Sequence, residues 1–210
     1  GIDLEIWDIN GPHLEQIKAY EIQDTLIASG STHQAKKLIT VLKTISYDET
    51  DTIETVKTIN NKLLKVINLK VEANKTFSFD QFAHVGIDED RYENLLMLKK
   101  IKLTGYENLQ QTHHDIWCQK WFYSDIELTG DDEAQLALRY SIYHLLLLAP
   151  NDYKNASIPA RGISGQTYKG AVFWDTEIFM LPFYLNTDLV SAKQIINYRI
   201  KSLEGALEKA

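Results

Sequence analysis

The stretch Phe173-Trp174-Asp175-Thr176-Glu177 sets an indole beside a carboxylate. An aromatic face takes the C–H surface of a sugar ring, and a carboxylate accepts hydrogen bonds from adjacent hydroxyls. Trp174 and Asp175 are therefore candidate contacts of a carbohydrate subsite. The same residues also suit a structural part, with Asp175 capping the helix that follows and Trp174 filling a core. Capping is common enough that the residues by themselves lean toward the structural part. Glu177 falls in the helix after the pair and reads as a packing or network residue rather than a proton donor.

The pair closes a segment from Pro159 to Pro182 that departs from the periodicity on either side. Gly162, Gly165 and Gly170 permit tight turns and close backbone approach. Their spacing matches neither the dinucleotide nor the P-loop fingerprint, so the glycines alone give no phosphate cradle. His113, His114 and Asp115 are consecutive, and consecutive helical residues point about 100° apart. His144 belongs to another helix, so no metal-ligand spacing results and no metal is expected. His13, His33 and His84 read as structural. Cys118, the sole cysteine, lies between Trp117 and Gln119 and reads as a small core residue.

These residues need elements to hold them. From Leu14 to about Val85, alternating or short apolar runs (Glu21 to Ile27, Lys37 to Ile45, Leu63 to Val71, Thr76 to Val85) predict antiparallel strands. The breaks fall at Ser29-Gly30-Ser31-Thr32, Asp48-Glu49-Thr50-Asp51 and Asn74-Lys75. After Asp88-Glu89-Asp90 the period becomes helical: first through Tyr92, Leu95, Leu96 and Lys99, then through Tyr106, Leu109, His113, Ile116, Trp117 and Trp121. Asp131 and Asp132 open a further helix, acidic where the helix dipole favours negative charge. Its apolar residues, from Leu136 to Leu148, lie nearly all round, which predicts a buried helix. Asp188 caps a last helix with a stripe through Ile196, Ile200, Leu203 and Leu207. Asp125 and Glu127 read as a solvated face.

A net charge of −7 without a Lys/Arg stripe excludes the basic surface that nucleic acid demands. The longest apolar run, Ile142 to Pro150, is far short of the roughly 20 residues of a membrane span. The single thiol fits a cytoplasmic location. Gly1 at the start, and a helical pattern running to Ala210 without a stop signal, lead us to expect a piece excised from a longer protein.

Three strings together resemble the family 65 glycoside hydrolases that phosphorolyse maltose, kojibiose, nigerose and trehalose: Ile6-Trp7-Asp8-Ile9-Asn10-Gly11-Pro12-His13, Ala137 to Leu146, and Ile158 to Leu185. The resemblance spans essentially the whole chain. It implies an α+β multidomain fragment: the end of an antiparallel β-sandwich (1–86), a helical linker (87–129) and the first helices of an incomplete (α/α)6 catalytic barrel (130–210). Leu145, Leu146, Phe179 and Phe183 would then face helices that this chain does not supply, and are expected either to sit in an exposed apolar patch or to be covered by another copy of the chain.

By the resemblance, Trp174 and Asp175 match the pair that holds the transferred glucosyl unit, and Lys169 falls where relatives often carry a basic residue. Ala171 stands where many members carry histidine, and Gln166-Thr167 replaces a frequent acidic residue and glycine, so acceptor choice departs from the commonest form. The implied reaction is inverting phosphorolysis of an α-glucosyl disaccharide, with inorganic phosphate as co-substrate and no other cofactor. Its general acid is a glutamate beyond residue 210, so residues 1–210 carry no catalytic acid of their own. Phosphate is already an anion and attacks the anomeric carbon without a base carboxylate, which would repel it, whereas an inverting hydrolase needs a second carboxylate to activate water. A hydrolase of the same family and a non-catalytic carbohydrate-binding or structural domain stay open. The expected partners are the disaccharide, phosphate and a second copy in a homodimer, with neither nucleic acid nor membrane.

Overall fold

In a computed structural model of the chain, the described residues are 2–3, 14–33, 35–47, 52–59, 62–70, 72–150, 156–162, 168 and 170–210. They fall into two compact units, Gly1–Thr112 and His113–Ala210.

Among the described residues the first unit holds seven strands: β1 (Ile2–Asp3), β2 (Leu14–Ile22), β3 (Thr25–Thr32), β4 (Leu38–Tyr47), β5 (Thr52–Ile59), β6 (Lys62–Leu69) and β7 (Phe79–Ile87). They form a four-stranded sheet of order β2-β3-β4-β7 and a three-stranded sheet of order β1-β6-β5, every pairing antiparallel. Successive side chains of a strand point to opposite faces, and β3 uses both. Leu26 and Ala28 cluster with Leu63 of the other sheet, while Ile27 clusters with Leu42, Phe82 and Leu98. Leu98 belongs to α1 (Arg91–Thr104), so the four-stranded sheet has apolar partners on both sides.

Two strand expectations change. The stretch Glu21 to Ile27 is a hairpin, not one strand: Ile22 pairs with Thr25 around Gln23-Asp24, with Gln23 at φ +54°. Conversely, Ser29 to Thr32 continues β3, because Gly30 lets β2 come close; a Cβ there would lie 3.2 Å from Leu14 Cβ. β5 carries no period-two apolar pattern in its sequence and is placed by its pairing with β6.

α1 starts in a reciprocal capping box, the Asp90 side chain accepting from Glu93 N and the Glu93 side chain from Asp90 N. Its buried face is Asn94 and Leu98; Tyr92 and Leu96 are exposed. Gly86 lies against Asn94, where a Cβ would sit 2.8 Å from Asn94 Cγ.

α2 (Tyr106–Ser124) runs across the division between the units. In the second unit it is followed by α3 (Asp132–Leu148), a π-helical turn (Thr176–Met180), α4 (Leu181–Thr187) and α5 (Leu189–Leu207). Asp131 caps α3 through Ala134 N, and Asp188 caps α5 through Val190 N and Ser191 N. Trp117 stacks on Tyr143 at 5.2 Å, joining the second half of α2 to α3. The core consists of Ile158, Tyr184, Ala192 and Ile195, with Leu148, Ala149, Met180, Leu181 and Phe183 packed around it. Burial pushes the Tyr184 phenol well above its ordinary pKa, and its Oη donates to Leu145 O at 2.6 Å.

Three burial expectations fail here. α3 buries only Ile142 and Leu146 while Leu136 and Tyr140 are exposed, because the described chain covers one side of it. Of the four residues expected to stay open, only Phe179 is exposed; Leu146 is buried and Phe183 packs on the core. Cys118 is exposed rather than buried, its Sγ 3.3 Å from His114 Nε2 one turn away on an outer face of α2. No helix of the described residues is long and apolar enough to cross a membrane.

Candidate functional site

The segment before the Trp-Asp pair is fastened at both ends. Thr176 is buried and donates its hydroxyl to Ile158 O at 2.8 Å, while Ala160 N donates to Ala171 O at 3.1 Å. Gly162 (φ +59°) turns against α3, where a Cβ would meet Leu148 Cδ2 at 2.7 Å. Gly170 adopts φ +76°, and Tyr168 meets Phe173 edge-on at 5.4 Å. Gly165, Gln166, Thr167 and Lys169 lie outside the described residues.

Pro182 lies in the first turn of α4 and has no N–H to donate. The turn before it is π-helical, with Leu181 N donating back to Thr176 O. Such single turns inside helices are frequent at functional sites. This one spans Thr176–Met180, immediately after the Trp-Asp pair.

Neither structural part foreseen for the pair is observed. Trp174 is 73% exposed, so it fills no core. Asp175 is exposed, has helical φ and ψ, and makes no side-chain capping bond. Asp175 lines an open recess of about 440 Å3 with Ala160, Tyr168, Phe173, Thr176, Phe179 and Met180. Aromatic rings and a carboxylate are groups that hold a polyhydroxylated ring. The Trp174 indole is not part of that lining and lies against the Arg199 guanidinium, 5.5 Å from its ring centroid.

Arg199 escaped the sequence reading. Its Nε and Nη2 donate to the two carboxylate oxygens of Glu177, both at 2.8 Å, and Nη2 also donates to Phe173 O at 2.8 Å and Val172 O at 3.4 Å. The bonds to Glu177 raise the Arg199 pKa, against partial burial. Glu177 is thus the network residue expected of it. Asp125, expected on a solvated face, is exposed and held below the ordinary carboxylate range by Arg139, whose Nε donates at 2.9 Å. Among the described residues, no group of three or more His, Cys, Asp or Glu could hold a metal ion.

Residues 139–210 match the glycosyl hydrolase family 65 central catalytic domain. The chain as a whole resembles the family 65 disaccharide phosphorylases. It is 36% identical to nigerose phosphorylase of Lachnoclostridium phytofermentans over 237 aligned residues, covering all of this chain and 31% of that protein. It is 30% identical to 1,2-alpha-glucosylglycerol phosphorylase of Bacillus selenitireducens, covering all of this chain and 28% of the relative. The chain therefore spans less than a third of the length of these relatives. A solved structure from the human microbiome that carries a kojibiose phosphorylase name superposes with TM-score 0.71 at 22% identity, over 90% of this chain and 26% of its own. That likeness concerns the fold: an antiparallel β portion followed by helices.

Proposed function

We propose that this chain is part of an inverting phosphorylase that cleaves an α-glucosyl disaccharide with inorganic phosphate, giving a sugar 1-phosphate and a free sugar. In this reading residues 1–86 are the end of a β-sandwich, 87–129 a linker, and 130–210 the start of an (α/α)6 barrel. Trp174 and Asp175 contact the transferred glucosyl unit, and Lys169 adds a basic group beside them. The general acid and the phosphate-binding residues lie outside residues 1–210, so the piece alone releases no sugar 1-phosphate.

The observation that carries the reading is the exposure of Trp174 together with an Asp175 that caps nothing, both within the stretch matching the family 65 catalytic domain. An exposed indole, touched by the Arg199 guanidinium, beside a carboxylate that caps nothing offers an apolar face and a hydrogen-bond acceptor to a sugar ring. The carboxylate acts by accepting hydroxyl hydrogen bonds as the anomeric carbon gains positive charge, while the acid protonates the glycosidic oxygen and phosphate attacks from the opposite face. The printed names of the two whole-length relatives differ in the glucosyl compound cleaved, so the acceptor sugar is left open.

The test is Asp175→Asn in the full-length protein. Loss of one charge-assisted hydrogen bond, worth about 1.5–3 kcal/mol, should lower kcat/KM for the disaccharide by about ten- to a hundredfold with the thermal midpoint unchanged. Wild-type kinetics in the variant would overturn the reading of Asp175 as a sugar contact.

A further inference from the structure

Arg199 lies on α5, 22 residues beyond Glu177 in sequence, yet its guanidinium joins three parts of the candidate site. It is held in a two-pronged pair by Glu177, it ties down the carbonyls of Val172 and Phe173 immediately before the pair, and it lies over the Trp174 ring. A planar guanidinium fits all three at once; an ammonium does not, since it lacks the rigid fork of donors.

We infer that Arg199, clamped by Glu177, is the positioning residue that fixes Trp174 and the backbone leading into Asp175 in the geometry that receives the sugar. The inference rests on reading Trp174 and Asp175 as sugar contacts. The guanidinium covers one face of the indole and leaves the other for the C–H surface of the transferred ring. Trp174 is 73% exposed, and the contact that holds its ring is the stacking cation. The side chains of Arg199 and Glu177 are only 32% and 18% exposed, which shields their pairing from water and salt. Arg199 itself touches no substrate in this account.

The experiment is a double-mutant cycle in the full-length protein: Arg199→Ala, Trp174→Phe and both together. Initial rates are measured against whichever of maltose, kojibiose, nigerose and trehalose the wild-type protein cleaves and against phosphate, and acrylamide quenching of tryptophan fluorescence is measured in parallel. Arg199→Ala should lower kcat/KM for the disaccharide by about a hundredfold, the usual scale for an ångström of misplacement, and leave KM for phosphate unchanged. Added to Trp174→Phe it should cost less than it does alone, since part of its effect runs through the indole and part through the backbone before Asp175. Quenching should rise in Arg199→Ala, and that rise should be absent when Trp174 is also replaced, the double variant matching Trp174→Phe. Arg199→Lys should behave like Arg199→Ala, and Glu177→Gln, which leaves the guanidinium in place, should fall between it and wild type. If Arg199→Ala unfolds, the Glu177→Gln pairing with Trp174→Phe decides by the same criteria. Losses that multiply in the double variant, or unchanged quenching, overturn the positioning part. If the wild-type protein releases no sugar 1-phosphate from any α-glucosyl disaccharide, the sugar reading falls instead, and the quenching comparison alone decides whether Arg199 positions Trp174.

Discussion

At the scale of single residues, Gly162 carries two constraints at once. Its φ of +59° is one that side chains rarely adopt, and a Cβ would press on Leu148 at 2.7 Å. Gly162→Ala should therefore lose about 1–3 kcal/mol, from overpacking and from the backbone conformation. Denaturant unfolding of the full-length protein measures this, and an unchanged midpoint would show that Leu148 yields freely. Tyr184→Phe removes the bond to Leu145 O and leaves a carbonyl without its donor, for a loss of about 0.5–1.5 kcal/mol by the same measurement. Residue type and adjacency made Trp174 and Asp175 legible as candidates but leaned toward a core ring and a helix cap, neither of which is observed. Arg199 was not, because its partners lie 22 to 27 positions away and no periodicity links them. The exposure of Cys118 was equally hidden, since a helical pattern does not say which face finds a partner.

At the scale of elements, the helix starts were the most legible features, because Asp90, Asp131 and Asp188 act through backbone N–H groups two or three residues away. The β2–β3 hairpin was missed, because an isolated Gln-Asp reads as the polar side of an alternating strand. Asp24 at that turn also has a tertiary role that its sequence does not show. It accepts from Lys102 Nζ of α1 at 2.9 Å and from Thr44 Oγ1 at 3.0 Å. Burial alone would raise its pKa, but the bonds from Lys102 and Thr44 outweigh it and the pKa is lowered. A carboxyl with a lowered folded-state pKa adds stability that is fully present above its unfolded value, about 3.9, and is lost as pH falls through the folded value. The gap in thermal midpoint between wild type and Asp24→Asn should thus be widest near neutral pH and close as the pH falls below that unfolded value. A gap independent of pH would mean the lost contacts are not ionic.

At the scale of the whole molecule, the strand-then-helix order and the family resemblance were readable from the sequence, while the burial of the helical faces was not. Ile200, Leu203 and Leu207 form a stripe that is 64%, 56% and 67% exposed. Period alone announced an amphipathic α5 without saying what covers it. The central claim is that residues 139–210 contribute a donor subsite to a phosphorolytic reaction. It is tested most directly by following the full-length protein with maltose, kojibiose, nigerose and trehalose in turn by proton and phosphorus NMR, with and without inorganic phosphate. Inversion at an α-glucosidic carbon predicts β-glucose 1-phosphate as the first product, formed only when phosphate is present and nearly abolished in Asp175→Asn. Free glucose released equally fast without phosphate, or a 1-phosphate of α configuration, would contradict it.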